Sequence, residues 1–322
     1  MSADISVIIP ARNRLWSLPK AVESCRSKRL NVEIIVIDDA STDRTGEWLR
    51  ESTDLIVVQG DGWGKPWGIA RALPLATGTY LRYLDSDDWL NANANETQFE
   101  IAEDENADIV VAGVDIYDDE RLIESVAYTA SDDFIAQQLG EGDGSHYSAF
   151  LYRREFVRCI PHRTMFAASN FASRDDRCFI LEAALRHPHI AESPGTALCH
   201  RHHKKERLQF PTGLGSMGTN IQELCIYRQI LHLLEQQGEL TPRRRRAATK
   251  ALWPLAHRIA YTHPREARDL AKWIGELDAE FKPPEEGVVG YLYRHLGFGQ
   301  TEAILRMRRM ALSFLRSGRM TC

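Results

Sequence analysis

Short β-branched runs recur along the first hundred residues, each followed by a stretch in which apolar side chains return every three or four positions. Ile5 to Pro10 (ISVIIP) is the first run, and Leu18, Val22 and Cys25 mark the helix-like stretch from Trp16 to Arg29. Val32 to Ile37 (VEIIVI) repeats the strand signal, and Asp38 to Asp43 (DDASTD) supplies capping residues for a helix through Arg50. Leu55 to Val58 and Tyr80 to Leu84 read as further strands, with a short helix from Trp67 to Ala76 that tolerates Pro74 poorly. Asn95 to Glu105 predicts a helix and Asp108 to Gly113 the next strand.

Strands alternating with helices at this spacing predict βαβ units in an α/β fold: a Rossmann-like, mainly parallel sheet with helices on both faces. After Tyr117 the pattern loosens. Arg121 to Thr129 alternates weakly, His146 to Tyr152 reads as a strand and Asp175 to Arg186 as a helix. Gly213 to Asn220 (GLGSMGTN) reads as a flexible connector, and Ile221–237, 242–262, 264–277 and 301–316 as helices. The expected organisation is a catalytic domain over 1–212, with halves at 1–115 and 116–212, and a helical C-terminal domain over 213–322.

Ligands of such sheets sit beyond the carboxyl ends of the strands. There the chain carries Pro10, Ala11 and Arg12, then Asp38 and Asp39, then Asp85, Ser86, Asp87 and Asp88. Three carboxylates within the four residues 85–88 repel one another, and keeping them ionised behind an apolar strand is costly unless a cation compensates. A divalent ion with hard oxygen ligands, Mn²⁺ or Mg²⁺, is the simplest compensation and leaves open positions for a diphosphate. A solvated turn whose aspartates cap the next helix is the plainer alternative. Asp39 could accept an N–H from a base or a sugar hydroxyl.

The net charge of -5 removes any global attraction for nucleic acid, so no nucleic-acid partner is expected. The six cysteines form no C-x-x-C pair, and the first residues, MSADISVIIPARNR, lack a basic head with a long apolar run. A cytoplasmic protein without a signal peptide is the expectation. Neither G-x-G-x-x-G after the first strand nor G-x-x-x-x-G-K-[ST] is present.

Four linked stretches carry a resemblance: Ile5 to Arg14 (ISVIIPARNR), Glu33 to Asp43 (EIIVIDDASTD), Ala76 to Tyr80 (ATGTY) and Leu84 to Asp88 (LDSDD). In order and spacing they resemble the family 2 glycosyltransferases of GT-A fold, securely over residues 5–90 and more loosely to His203. The resemblance implies inverting transfer of a sugar from a nucleotide-diphosphate donor, by expectation a UDP-sugar, to a glycan or lipid-linked acceptor. It implies that Asp39 pairs with the base, that Pro10, Ala11 and Arg12 line the nucleoside pocket, that Asp85 meets ribose or metal and that Asp87 binds metal, with Asp88 behind. It makes Asp176 the base that takes the acceptor's proton, with Asp175 where relatives carry Glu. Helix-start aspartates that merely favour the helix N-terminus are the alternative.

Relatives often have Gly-x-x-x-Ala-Arg-Asn before the metal strand, whereas this chain reads Gly64 to Ala72 (GKPWGIARA), so Lys65 or Arg71 stands in as the donor-binding cation. Trp63 and Trp67 are candidates to stack on a base or sugar, although buried tryptophans are commoner. Among Cys199 to Lys205 (CHRHHKK), His202 is the candidate for metal or diphosphate contact. The segment 304–316 interleaves apolar residues with arginines; a core-facing helix with a solvated basic face is preferred over peripheral membrane contact. A homo-oligomer is left open. The two competing classes are a sugar-phosphate nucleotidyltransferase, whose glycine-rich loop is missing here, and a non-catalytic nucleotide-sugar-binding relative.

Overall fold

A computed structural model describes residues 2–62, 64–142, 146–160, 162, 174–203, 205 and 213–317. The expectations placed on Trp63, Ser173 and Lys204 fall outside these residues. The chain forms two compact units, one of residues 1–138 and 142–208, the other of 139–141 and 209–322.

The first unit opens with β1 (Ile5–Ala11), α1 (Leu18–Ser24), β2 (Val32–Asp38), α2 (Thr45–Glu51), β3 (Ile56–Gln59), α3 (Lys65–Ala72) and β4 (Tyr80–Tyr83). The first strand is buried along nearly its whole length, which is why it reads as a continuous apolar run and not an alternating one. Pro74 acts as expected: α3 stops at Ala72, and a 3-10 turn over Leu73–Leu75 carries the proline. Gly78 lets the chain into β4 pass against β1, since a Cβ there would fall 2.4 Å from the Ser6 nitrogen.

Next come β5 (Trp89–Leu90), α4 (Ala94–Asp104), β6 (Ile109–Asp118), β7 (Arg121–Val126), the short α5 (Phe134–Ala136), β8 (Leu151–Arg153), α6 (Arg154–Val157), α7 (Asp175–Ala184) and the long β9 (Ile190–His202). His146 to Tyr152 is a strand only at its end, because a 3-10 turn over Tyr147–Ala149 precedes β8. The His146 side chain caps that turn by accepting the Ser148 N–H, a local bond that competes with strand pairing.

The nine strands among the described residues form one sheet in the order β3-β2-β1-β4-β8-β6-β9-β5, with β7 on β6. The α/β reading holds, and parallel pairing joins β1, β2, β3 and β4 and also β6 with β9, while β8, β7 and β5 pair antiparallel. Arg82, inside β4, is fully buried. Its Nε donates to Asn95 Oδ1 at 2.9 Å and its Nη1 to the Ser148 carbonyl at 3.2 Å, which ties α4 and the turn before β8 to β4. Among the described residues its hydrogen-bond partners are all neutral, and burial pulls its pKa down to about 10.

The second unit consists of α8 (Gly213–Gln236), α9 (Pro242–Ala260), α10 (Pro264–Leu277) and α11 (Gly287–Ser317). The expected flexible connector at 213–220 is instead the first two turns of α8; glycine disfavours helix by only about 1 kcal/mol each, which a long helix can offset. Helix α11 starts earlier than its apolar pattern suggested and is broken at Gly297, where φ is 74°. A polar knot fastens α9 to α11: His257 Nδ1 lies 2.8 Å from Glu302 Oε1 and Tyr293 donates its hydroxyl to the same oxygen, while Trp253 Nε1 donates at 2.8 Å to Oε1 of Glu285, just before α11.

Candidate active site

The carboxyl ends of β1, β2 and β4 bring their polar loops to one edge, as the alternation of elements required. Residues after β1 and β2 latch first. Asn13, in left-handed backbone (φ 54°), accepts the Thr42 N–H at 2.7 Å, and the Asp39 N–H donates to the Ala11 carbonyl at 2.9 Å. The Asp39 carboxylate is buried and accepts the N–H groups of Gly62 and Gly64, both at 2.9 Å. Gly60 packs so closely that a Cβ would sit 2.6 Å from Asp39 Oδ1. A cavity of about 240 Å³ opens beside it, lined by Asp39, Gly60, Asp61, Trp67, Gly68 and Arg71 among others. Pro10 is half-buried, Ala11 buried and Arg12 exposed.

Lys65 and Arg71 both lie on α3 but serve different places. Arg71 pairs with Asp61 at 2.6 Å on the cavity rim. Lys65 turns inward: its Nζ lies 2.8 Å from Asp85 Oδ1 and 4.6 Å from the centre of the Tyr147 ring. Burial works to strip the proton from Lys65, but the charges of Asp175, Asp85 and Asp176 outweigh it and hold its pKa well above the usual lysine range. Burial would likewise raise the Asp85 pKa, yet Lys65, with His146, brings it down to about 2.

Each acid of the 85–88 loop has its own basic partner. Asp87 Oδ2 lies 2.9 Å from His203 Nε2 and 4.0 Å from Arg14 Nε. Asp88, 2% exposed, holds His200 Nδ1 at 3.0 Å with one oxygen and accepts the Arg201 N–H at 2.8 Å with the other. Burial lowers and Asp88 raises the pKa of His200, and the rise wins. His146 Nε2 lies 3.6 Å from Asp85 Oδ2, and its ring stacks on that of His200 with centroids 5.1 Å apart. Ligand atoms of Asp88, His146 and His200 come within 4.8 Å of one another, a group able to hold a metal ion. His202 is exposed, its ring edge-on to that of His200 at 5.1 Å.

Asp175 and Asp176 open α7, so the helix N-terminus favours both charges. Asp175 is buried, with Oδ2 4.0 Å from His162 Nδ1 and unbonded. The His162 ring lies between Tyr83 and Phe179, each centroid 4.3 Å away, and among the described residues neither of its nitrogens has a hydrogen-bond partner. The half-buried Asp176 faces the field of Lys65. Sequence reasoning passed over Arg14, His146 and His203. The first stood inside the quoted ISVIIPARNR stretch, whereas His146 sits where the sequence pattern predicted a plain strand.

The sequence model described as Glycosyl transferase family 2 matches residues 6–174. The chain belongs to this family. Glycosyltransferase GlyG of Streptococcus pneumoniae is 30% identical over 145 residues, 43% of this chain and 48% of GlyG. The family 2 chain thus spans about half the length of that relative. The Escherichia coli protein UDP-Glc:alpha-D-GlcNAc-diphosphoundecaprenol beta-1,3-glucosyltransferase WfaP is 38% identical over 89 residues, 26% of this chain and 36% of WfaP. In three dimensions the chain is similar to S. aureus TarS 1-349 in complex with UDP-GlcNAc, with a TM-score of 0.62 and 16% identity over 94% of this chain and 92% of that one. That likeness establishes the GT-A fold, and the curled mixed sheet of the family 2 chain agrees with it.

Proposed function

We propose that the chain is an inverting glycosyltransferase that moves a sugar from a uridine diphosphate donor to a hydroxyl of a glycan or lipid-linked acceptor. The observation that carries the reading is the buried ammonium of Lys65, 2.8 Å from Asp85 and under the charges of Asp175 and Asp176, on the same helix that lines the Asp39 cavity. Pro10, Ala11, Arg12 and Asp39 hold the nucleoside, with Arg71 at the rim. Lys65 and Asp85 lie toward the diphosphate and ribose. WfaP's own name specifies UDP-Glc and a diphosphoundecaprenol-linked acceptor, which supports this donor class and acceptor class.

Asp176 takes the proton of the acceptor hydroxyl as its oxygen bonds to the anomeric carbon. The bond from that carbon to the diphosphate oxygen breaks on the opposite face, and its electron pair leaves with the diphosphate, so the configuration inverts. Asp88, His146 and His200 fit a divalent ion, with Asp85, Asp87 and His202 close to the same loop. Two imidazoles beside one carboxylate suit manganese better than the strictly oxygen-seeking magnesium. Bound there, the ion would neutralise charge on the departing diphosphate.

The test is a thermal-shift screen of UDP-sugars and GDP-sugars with and without Mn²⁺, followed by turnover of the best ligand in the Asp176→Asn variant. A UDP-sugar should raise Tm in both proteins by linkage, and turnover should fall about 10²-fold to 10⁴-fold in the variant. Absence of a shift with every donor would sink the donor assignment; undiminished turnover would remove Asp176 as the base.

A further inference from the structure

Helix α11 carries an unusual exposed face. Val288 is 76% exposed and Met307 63%, and Tyr291, Leu296 and Ile304 stand out along the same helix. The core-facing reading of this segment therefore fails for Ile304 and Met307, the first of its apolar positions. Between these apolar side chains lie Arg294, His295, Arg306 and Arg308, all exposed. The only acid between 287 and 308 is Glu302, and it is buried, its carboxylate turned inward to His257 and Tyr293. Of the charged side chains described from 288 to 308, those left outward are therefore all basic, with the exposed Glu286 lying just before the helix. From 303 to 322 the sequence holds five arginines, Arg306 and Arg308 among them, and no acid.

We propose that this face is a docking surface for an anionic lipid bilayer. Apolar and aromatic side chains with interleaved arginines suit the boundary between headgroups and acyl chains, where the apolar part is buried and each arginine meets negative headgroups. A second copy of the chain fits the face poorly, because a two-fold contact would set this basic face against an identical basic face. Among the described residues no helix is long and apolar enough to cross a membrane, so the contact lies on the bilayer. The break at Gly297 divides α11 into two rods, and both carry exposed apolar and basic residues. The inference goes beyond the transfer reading and does not depend on which donor is used.

Co-sedimentation of the full chain with vesicles of phosphatidylcholine alone, or mixed with phosphatidylglycerol, tests it. Binding should require phosphatidylglycerol and weaken as salt rises. The triple variant Arg294→Glu, Arg306→Glu, Arg308→Glu should lose about 100-fold in affinity, at roughly fivefold for each arginine, and Val288→Ser with Met307→Ser should weaken it through the apolar side chains alone. Both variants should keep the Tm of the parent and its shift with UDP, which separates loss of docking from loss of fold or donor binding. The proposal is overturned if the parent ignores phosphatidylglycerol vesicles or if both variants bind them as the parent does. Light scattering that shows a parent dimer, split to monomers by the arginine variant, would assign the face to a second copy and overturn it as well.

Discussion

Two groups of charge stand within seven residues of each other and are kept in opposite ways. Arg82, buried in β4, is held by fixed neutral dipoles: the side-chain oxygens of Asn95 and Gln98 and the carbonyls of Ser148 and Phe150. Asp85, Asp87 and Asp88, just beyond the same strand, are held by Lys65, His203 and His200. Arg82, fully buried and bonded to neutral groups alone among the described residues, has no charged partner to exchange and belongs to the framework. A charge facing another mobile or titratable charge can trade that partner for a ligand's, which is what the proposed metal and diphosphate site would require.

The sharpest way to break this comparison is to neutralise one member on each side. Asp87→Asn and Asp88→Asn should each cut sugar transfer on the order of 10²-fold or more with Tm little changed, as read by steady-state turnover and calorimetry. Arg82→Met should do the reverse. It strands several buried acceptors at a cost of about 3 kcal/mol, which should lower Tm by roughly 5 to 10 °C while the folded fraction keeps its affinity for UDP. If the arginine variant lost donor affinity at unchanged Tm, the division into framework and exchangeable charge would collapse.

Acid titration probes the exchangeable side alone. Asp85 has a folded pKa of about 2 against an ordinary 3.8, so its ionised form adds stability above the ordinary value that is lost as pH falls through that interval. The loss should reach about 2 kcal/mol in urea denaturation, and Lys65→Met should abolish most of it. A variant with the same acid limb as its parent would show that Lys65 is not what holds Asp85. The smallest expected effect separates the histidines: His146→Ala and His200→Ala should each weaken Mn²⁺ binding roughly tenfold by calorimetry, and His202→Ala by less. A larger loss for His202→Ala would return the ligand role to the residue that the sequence favoured.

Much of the first unit was legible because buried parallel strands write themselves as unbroken apolar runs, and because Asp39 and the 85–88 acids follow those runs directly. Arg82 was not legible as a buried charge. In YLRYL it sits within an apolar stretch, and its partners Asn95, Gln98 and Ser148 are ordinary polar residues until the fold sets them around it. His146 was hidden by a local competition, its side chain capping a turn where alternation promised a strand. Lys65 and Arg71 were both named as donor-side cations, but only three-dimensional packing separates the buried ammonium from the rim guanidinium.

The distances in sequence between the acids and their partners set an order on how the protein comes into being. Asp88 waits 112 residues for His200, and Asp87 waits 116 for His203. On the ribosome, β1 to β4 emerge long before β9, so the strands that display the acids can pair while the histidines that answer them are still unmade. Closure of the acidic loop is then a late event of synthesis, and a chain halted before residue 200 would carry a sheet edge with its negative charges only part-answered, by Lys65, Arg14 and His146.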